Sequence, residues 1–296
     1  MKNNCCSFHF EKVKVSTVEK IIKLSKDKPA GFDNLDVRLL KPVADILALP
    51  ICRIINLSFE KSICPADWKI AKIIPLPKNN KEKFSGNNSR PSILPTISKI
   101  MERIVYEQIQ NYFCINDFNT AHQHAYRKGH STATVLTQMT DDWLKEIDAG
   151  KIVGSVLLNF SAAFDILAHR LLVNKLCCYG FDKGSVAWIN SYLTNRKYCV
   201  YFNGGFSEMR VMSCGVPQGS CLGPLLFSIF TNDLPVILNN ASIAMYADDS
   251  TIYSSALTPR DLEKVLNEEL VLIRKWVNIN KMVLNIKKTK CIVLHS

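Results

Sequence analysis

The sequence predicts an α+β fold in which helices and strands are mixed without a regular β-α-β repeat. Three observations carry that prediction. Apolar residues recur at helical spacing in several long segments, most clearly Asp261 to Trp276. Short β-prone runs such as Ile152 to Leu158 lie between them. The two kinds of segment do not alternate as a doubly wound sheet requires. With 296 residues, 47% of them hydrophobic, the chain can bury a substantial core as one large domain or two closely packed lobes.

Each element has a local reason. Val13 to Leu24 alternates apolar and basic positions at helical spacing, and the turn chemistry of Lys28-Pro29-Ala30-Gly31-Phe32-Asp33 ends it. Val37 to Phe59 reads as one or two helices broken near Pro42 and Pro50. Trp68 to Pro77 is a β-like run bounded by prolines, followed by an exposed basic loop from Lys78 to Ser89. Ile97 to Phe113 is an amphipathic helix, and Thr132 to Ile147 is another, with Val135, Met139, Trp143 and Ile147 on its buried face. Ile152 to Leu158 is a continuous apolar run of strand length, as a central strand buried on both faces would be. Ala163 to Tyr179 follows as a helix ending at Gly180, then Ser185 to Leu193 as a further helix. Lys197 to Asn203 and Glu208 to Ser213 flank Asn203-Gly204-Gly205 as a hairpin. A Gly-Pro loop, Gly215 to Gly219, opens into an apolar helix from Pro224 to Asp233, and Met282 to Ile286 is the last strand-like run.

The longest apolar candidate, Leu222 to Leu238, is interrupted by Asn232 and Asp233, so no stretch is expected to reach the roughly 18 residues of a membrane span. Met1 to Phe10 has no apolar signal-peptide core. Together these predict a cytoplasmic or nuclear protein with no membrane partner. The eleven cysteines are an odd number, scattered and without a C-x-x-C, which is neither a disulfide framework nor a zinc signature. His122 and His124 form H-x-H with no second ligand pair at a suitable spacing.

The net charge of +11 is concentrated. Lys61 to Arg103 holds nine Lys or Arg against Asp67, Glu82 and Glu102, and Arg274 to Lys290 holds six against no acid. Two basic segments suit a polyanionic partner, whereas a solubilising surface would spread its charge. Between them stands Tyr246-Ala247-Asp248-Asp249, adjacent carboxylates flanked by the β-prone runs Ala241 to Ala247 and Thr251 to Tyr253. Read as a hairpin, the carboxylates project from a rigid tip that can hold divalent metal. The alternative is an ordinary polar turn.

The order of segments resembles the reverse transcriptases of non-LTR, LINE-type, jockey-like retrotransposons. The matching pieces are Lys28 to Asp33, Trp68 to Lys78, Arg90-Pro91 with Ser98 to Arg103, Arg127 to Thr132, Ala163-Phe164-Asp165, Gly215 to Ser220, Leu222 to Phe227, Tyr246 to Asp249 and Asn285 to Lys290. The resemblance implies a right-hand polymerase of fingers and palm, with a central antiparallel palm sheet flanked by helices and the thumb largely missing. Residues 1–150 would be rich in fingers and 151–296 in palm, the two interleaved in one domain. It implies an RNA template, a DNA primer and deoxynucleoside triphosphates as partners, and two Mg²⁺ or Mn²⁺ ions as cofactors.

Residue by residue, the resemblance assigns metal binding and catalysis to Asp248 and Asp249. A third catalytic carboxylate is expected at position 159, five residues before the aromatic Phe164 that screens ribose from deoxyribose, but position 159 is Asn159. Lys78 and Arg90 match triphosphate-binding residues, Gln218 a residue near the template and nascent pair, and Lys288 a lysine beside the pyrophosphate. Asp165 is read as an N-terminal helix acid and not as a replacement ligand. Ser89, the order Pro91-Ser92-Ile93, Ala162 and Ala168 also depart from the family pattern. The expectation is a degenerate copy with impaired two-metal nucleotidyl transfer; the alternative is an inactive nucleic-acid-binding remnant. Either reading requires the hairpin tip to lie beside the end of the strand that carries position 159.

Overall fold

The computed structural model describes residues 7–75 and 91–296. The chain divides into two compact units, Met1–Asp117 with His169–Leu226, and Phe118–Ala168 with Phe227–Ser296.

In chain order, helix α1 (Val15–Leu24) buries Val18 and Ile22, one turn apart on the face its periodicity predicts. Helix α2 (Val37–Leu40) starts where the Asp36 carboxylate caps the Arg38 N–H, and a 3₁₀ turn at Lys41–Val43 joins it to α3 (Ala44–Glu60). Pro42 produces that local tightening, but Pro50 does not break α3. It sits on an exposed position, where water can serve the carbonyl that its missing N–H leaves free.

This continuity corrects the expectation for apolar runs: Val37–Glu60 is long and apolar enough to cross a membrane by length and composition. Its Ala44, Ala48, Ile51, Cys52 and Ile55 are buried within the protein, as in the core helix of a folded domain. Leu39, Val43, Ile46 and Leu57 are exposed, so the segment is apolar on both sides.

Strands β1 (Ile70–Ile73) and β2 (Ser92–Ile93) precede α4 (Thr96–Ile115). Helix α5 (Thr132–Asp148) starts with a capping box between Ser131 and Thr134; it buries Val135 and Met139 and leaves Trp143 and Ile147 half-buried. Strand β3 (Ile152–Asn159) follows.

The next helix, α6 (His169–Cys178), begins six residues later than its pattern predicts. Ala162 takes φ +48°, and the resulting turn, closed by the Asp165 N–H on the Ala162 carbonyl at 2.8 Å, holds Ser161 to Asp165 out of the helix. Asp165 is therefore a turn residue and not a helix-terminal acid. Helix α7 (Lys183–Leu193) is capped by Asp182. Strands β4 (Arg196–Phe202), β5 (Gly205–Phe206) and β6 (Arg210–Met212) form the expected hairpin region, followed by α8 (Gly223–Thr231). Strands β7 (Ser242–Tyr246) and β8 (Asp249–Ala256), helix α9 (Pro259–Ile279) and strand β9 (Lys290–Leu294) complete the chain. Met282 to Ile286 is not a strand; only Leu284 bridges Phe160, and the strand comes later.

In the first unit, a sheet runs β2-β1-β4-β5 with β6 also on β4; β1 and β4 are parallel and the other pairs antiparallel. The buried Glu102 of α4 accepts from the Tyr192 hydroxyl and the Cys221 N–H, both at 2.7 Å, and burial raises its pKa. Lys69, counted among the basic residues, is buried and donates to the Ser191 and Thr194 carbonyls. It is structural and offers no charge to a surface partner.

In the second unit a four-stranded antiparallel sheet runs β7-β8-β3-β9, which makes β3 an interior strand. Helices cover both of its faces. A Cβ on Gly154 of β3 would stand 2.7 Å from Leu266 of α9, so glycine permits that close approach. On the opposite face, Tyr253 of β8, the partner of Ser155, packs with Val135 and Met139 of α5 and donates its hydroxyl to Asp142 at 2.7 Å.

Candidate active site

Strand β3 ends at Asn159, β8 begins at Asp249, and the two residues are partners in the antiparallel register. Partners share a face of the sheet, so Asn159 and Asp249 leave it on the same side. Tyr246 pairs with Asp249 across the β7–β8 hairpin, which leaves Ala247 and Asp248 as its two-residue turn. The acidic hairpin tip thus lies beside the end of β3, as the sequence reading requires. Asp248 is half-buried and Asp249 exposed.

A third stretch of chain reaches the same corner. The Asn285 N–H donates to the Asn159 carbonyl and the Ser161 N–H to the Val283 carbonyl, each at 2.7 Å. Lys288 is therefore in a tight turn that starts beside Asn159, and its side chain is exposed. Lys290 pairs with Leu157, two residues from Asn159 along β3, and so projects from the Asn159 side of the sheet. All six cations from Arg274 to Lys290 are exposed.

Phe164 is in the turn after β3, its ring stacked on Phe227 at 4.6 Å and 26°. Gln218 belongs to the other unit, where its carbonyl accepts from the Ser92 N–H at 2.7 Å. Lys78 and Arg90 lie outside the described residues.

The segment from His122 to Tyr126 braces the tip, a function the sequence reading missed. Met245 donates to the His122 carbonyl at 2.8 Å and accepts from the His124 N–H at 2.9 Å, so this segment runs parallel beside β7. His122 places its ring against the Ile243 carbonyl, and His124 is buried with its ring 5.3 Å from that of His130. Between them Gln123 is 4% exposed. Its Oε1 accepts from the Ala247 N–H at 3.1 Å and the Ala125 N–H at 2.9 Å, while its Nε2 donates to the Ala247 carbonyl at 3.3 Å. Tyr126 is within electrostatic reach of the tip: burial raises the pKa of its phenol, and the charge of Asp248 raises it further. Only H-Q-H stands out here in the sequence, and its histidines draw attention away from the amide between them.

Two adjacent carboxylates and an amide carbonyl are hard oxygen donors of the kind Mg²⁺ and Mn²⁺ accept. Among the described residues no group of three His, Cys, Asp or Glu could hold a metal ion. The corner therefore brings together two carboxylates and one neutral amide, one anionic ligand fewer than three convergent carboxylates would supply.

Comparison with known proteins agrees with this architecture. Residues 76–295 match the family described as reverse transcriptase (RNA-dependent DNA polymerase). The probable RNA-directed DNA polymerase of transposon BS from Drosophila melanogaster is 32% identical over 92% of this chain, which covers 31% of that protein. The RNA-directed DNA polymerase of mobile element jockey from the same organism is 28% identical over 90% of this chain and 30% of its own length. The chain thus spans less than a third of these curated relatives. Among solved structures, telomerase of Candida tropicalis in complex with a fragment of telomeric RNA aligns with a TM-score of 0.54 over 78% of this chain and 42% of its own, at 13% identity, which is a likeness of fold. With its residues matched over most of their length and its mixed helix-and-sheet fold shared, the chain belongs to the reverse transcriptase (RNA-dependent DNA polymerase) family of non-LTR retrotransposons.

Proposed function

We propose that this chain is the polymerase domain of an RNA-directed DNA polymerase, with nucleotidyl transfer impaired by Asn159. The observation that carries the reading is the pairing of Asn159 with Asp249 at the end of β3, beside a turn that contributes Asp248. In this reading the second unit's antiparallel sheet is the palm, residues 1–150 are rich in fingers and 151–296 in palm, and the substrates are an RNA template, a DNA primer and deoxynucleoside triphosphates. The site would work in the cytoplasm or nucleus.

The family uses divalent metal ions. Such ions, if bound, would supply activation of the primer 3′ hydroxyl and charge neutralisation at the departing pyrophosphate. Asp248 and Asp249 would hold the metal, with the Asn159 side-chain carbonyl as a neutral third donor. Phe164 would set the floor beneath the incoming sugar. Lys288 and Lys290 would neutralise phosphate charge from the same corner, and the exposed cations from Arg274 onward would follow the nucleic-acid backbone. Lys78 and Arg90 would grip the triphosphate, and Gln218 would meet the template pair. Replacing a carboxylate by an amide removes one unit of negative charge from a site that must concentrate cations against a polyphosphate, a loss of about 10²–10³ in rate by analogy with deleting one electrostatic donor.

Asn159 also favours a second reading, a nucleic-acid-binding remnant without chemistry. Extension of a primer on a homopolymer RNA template separates the two. Mg²⁺-dependent incorporation that Asp248→Ala abolishes supports the enzyme; RNA binding with no incorporation by the native chain or by Asn159→Asp supports the remnant.

A further inference from the structure

We propose that Gln123 is a positioning residue: its amide holds Ala247 in the left-handed conformation and thereby sets the direction in which Asp248 and Asp249 leave the hairpin. Ala247 has φ +57°. It occupies the first of the two central positions of a hairpin turn, and a positive φ at that position alone is the pattern of turns that favour glycine. An alanine there is strained by its Cβ, and such strain persists only when the surroundings over-determine the conformation.

The Gln123 side chain contributes to that restraint. The Gln123 amide bonds both the N–H and the carbonyl of Ala247, at 3.1 and 3.3 Å, which fixes the orientation of the peptide groups on either side of that residue. The same Oε1 also accepts from Ala125, so the amide is itself held in place and its orientation is defined. The backbone bonds between Met245 and its neighbours His122 and His124 then fix Gln123 in register with β7. Of the two side-chain amides, glutamine is the one with this reach, and it supplies a donor and an acceptor from one planar group. A glutamate keeps the acceptor and loses the donor; a methionine keeps the shape and loses both.

A residue that served only to fill the core would lose stability on substitution, whatever stood at position 247. A positioning residue has a different signature, because a glycine at 247 relieves the strain that the amide opposes. The metal measurement below rests on the reading of the acidic pair as a cation site, whereas the amide measurement does not.

The test combines amide hydrogen exchange with Mn²⁺ binding, followed by electron paramagnetic resonance of the free ion, in the native chain, Gln123→Met, Gln123→Glu and the double variant Gln123→Met with Ala247→Gly. In Gln123→Met the Ala247 amide should exchange at least tenfold faster and Mn²⁺ affinity should fall about tenfold, the population factor for a non-glycine residue released from a left-handed turn. The double variant should regain most of the Mn²⁺ affinity while the Ala247 amide stays unprotected. Gln123→Glu should keep that amide protected, and this arm decides the matter if Gln123→Met does not fold. Native-like exchange at Ala247 in Gln123→Met, a loss of Mn²⁺ affinity that Ala247→Gly does not repair, or loss of Ala247 protection in Gln123→Glu would each overturn the proposal. If the native chain binds no Mn²⁺, the metal reading fails and the exchange measurements still decide the positioning role.

Discussion

Two hairpin turns in this chain solve the same geometric problem by different means. Between β4 and β5, Asn203 and Gly204 take φ +48° and +82°, both left-handed, and Asn-Gly is the pair that such a turn prefers. Between β7 and β8, Ala247 takes φ +57° with no glycine at hand, and a glutamine from a distant segment restrains it. The first turn is specified by its own two residues. The second is held from outside, and it is the one that carries adjacent carboxylates. A local sequence preference is absent at the turn that carries the adjacent carboxylates, a pattern that accords with the proposed functional corner.

The comparison can be broken most severely by removing the restraint. Gln123→Met leaves the Ala247 and Ala125 N–H groups without their acceptor and should cost about 2–3 kcal/mol in urea denaturation, within the range for buried groups that lose a hydrogen bond. A value below about 0.5 kcal/mol would mean that the turn stands by itself. Glycine changes should then act with opposite signs at the two turns. Gly204→Ala places a Cβ at φ +82° and should destabilise by about 1 kcal/mol. Ala247→Gly relieves the same strain and should stabilise by about 0.5 kcal/mol, reduced by the entropy of glycine in the unfolded chain. Equal signs would remove the distinction between the turns.

The smallest expected effect is a pH dependence. Burial, with further contributions from His130, Arg127 and His122, lowers the pKa of His124 below its ordinary 6.5. The folded chain then binds this proton less readily than the unfolded chain, so the contribution to stability is complete above about pH 6.5 and declines as pH falls towards the depressed folded value. His124→Phe should flatten the fall of Tm between pH 6.5 and 5. A slope identical to that of the native protein would locate the titration elsewhere.

Much of the fold could be read from sequence where residues carry their own instructions. The α9 periodicity, the length and apolarity of β3, the Asn-Gly turn and the Asp-Asp tip all lead to elements that are present. The errors have a common physical cause, which is tertiary context. The helical pattern that begins at Ala163 is interrupted by the left-handed Ala162 and its turn, so α6 begins only at His169. Met282 to Ile286 reads as a strand by itself, but the strand that pairs with β3 is β9, an edge strand whose own residues are largely exposed. Of the acidic corner, Asp248, Asp249 and the unexpected Asn159 are legible as residue types at a characteristic spacing. Gln123 is not, because its partner Ala247 stands 124 positions away and nothing local to either residue announces the contact.

The most direct measurement is primer extension on a homopolymer RNA template by the native chain and by Asn159→Asp, side by side in Mg²⁺. Restoring the carboxylate opposite Asp249 should raise incorporation by about 10²–10³, the effect expected when one electrostatic ligand is returned to such a site. Equal incorporation by the two proteins would contradict the account.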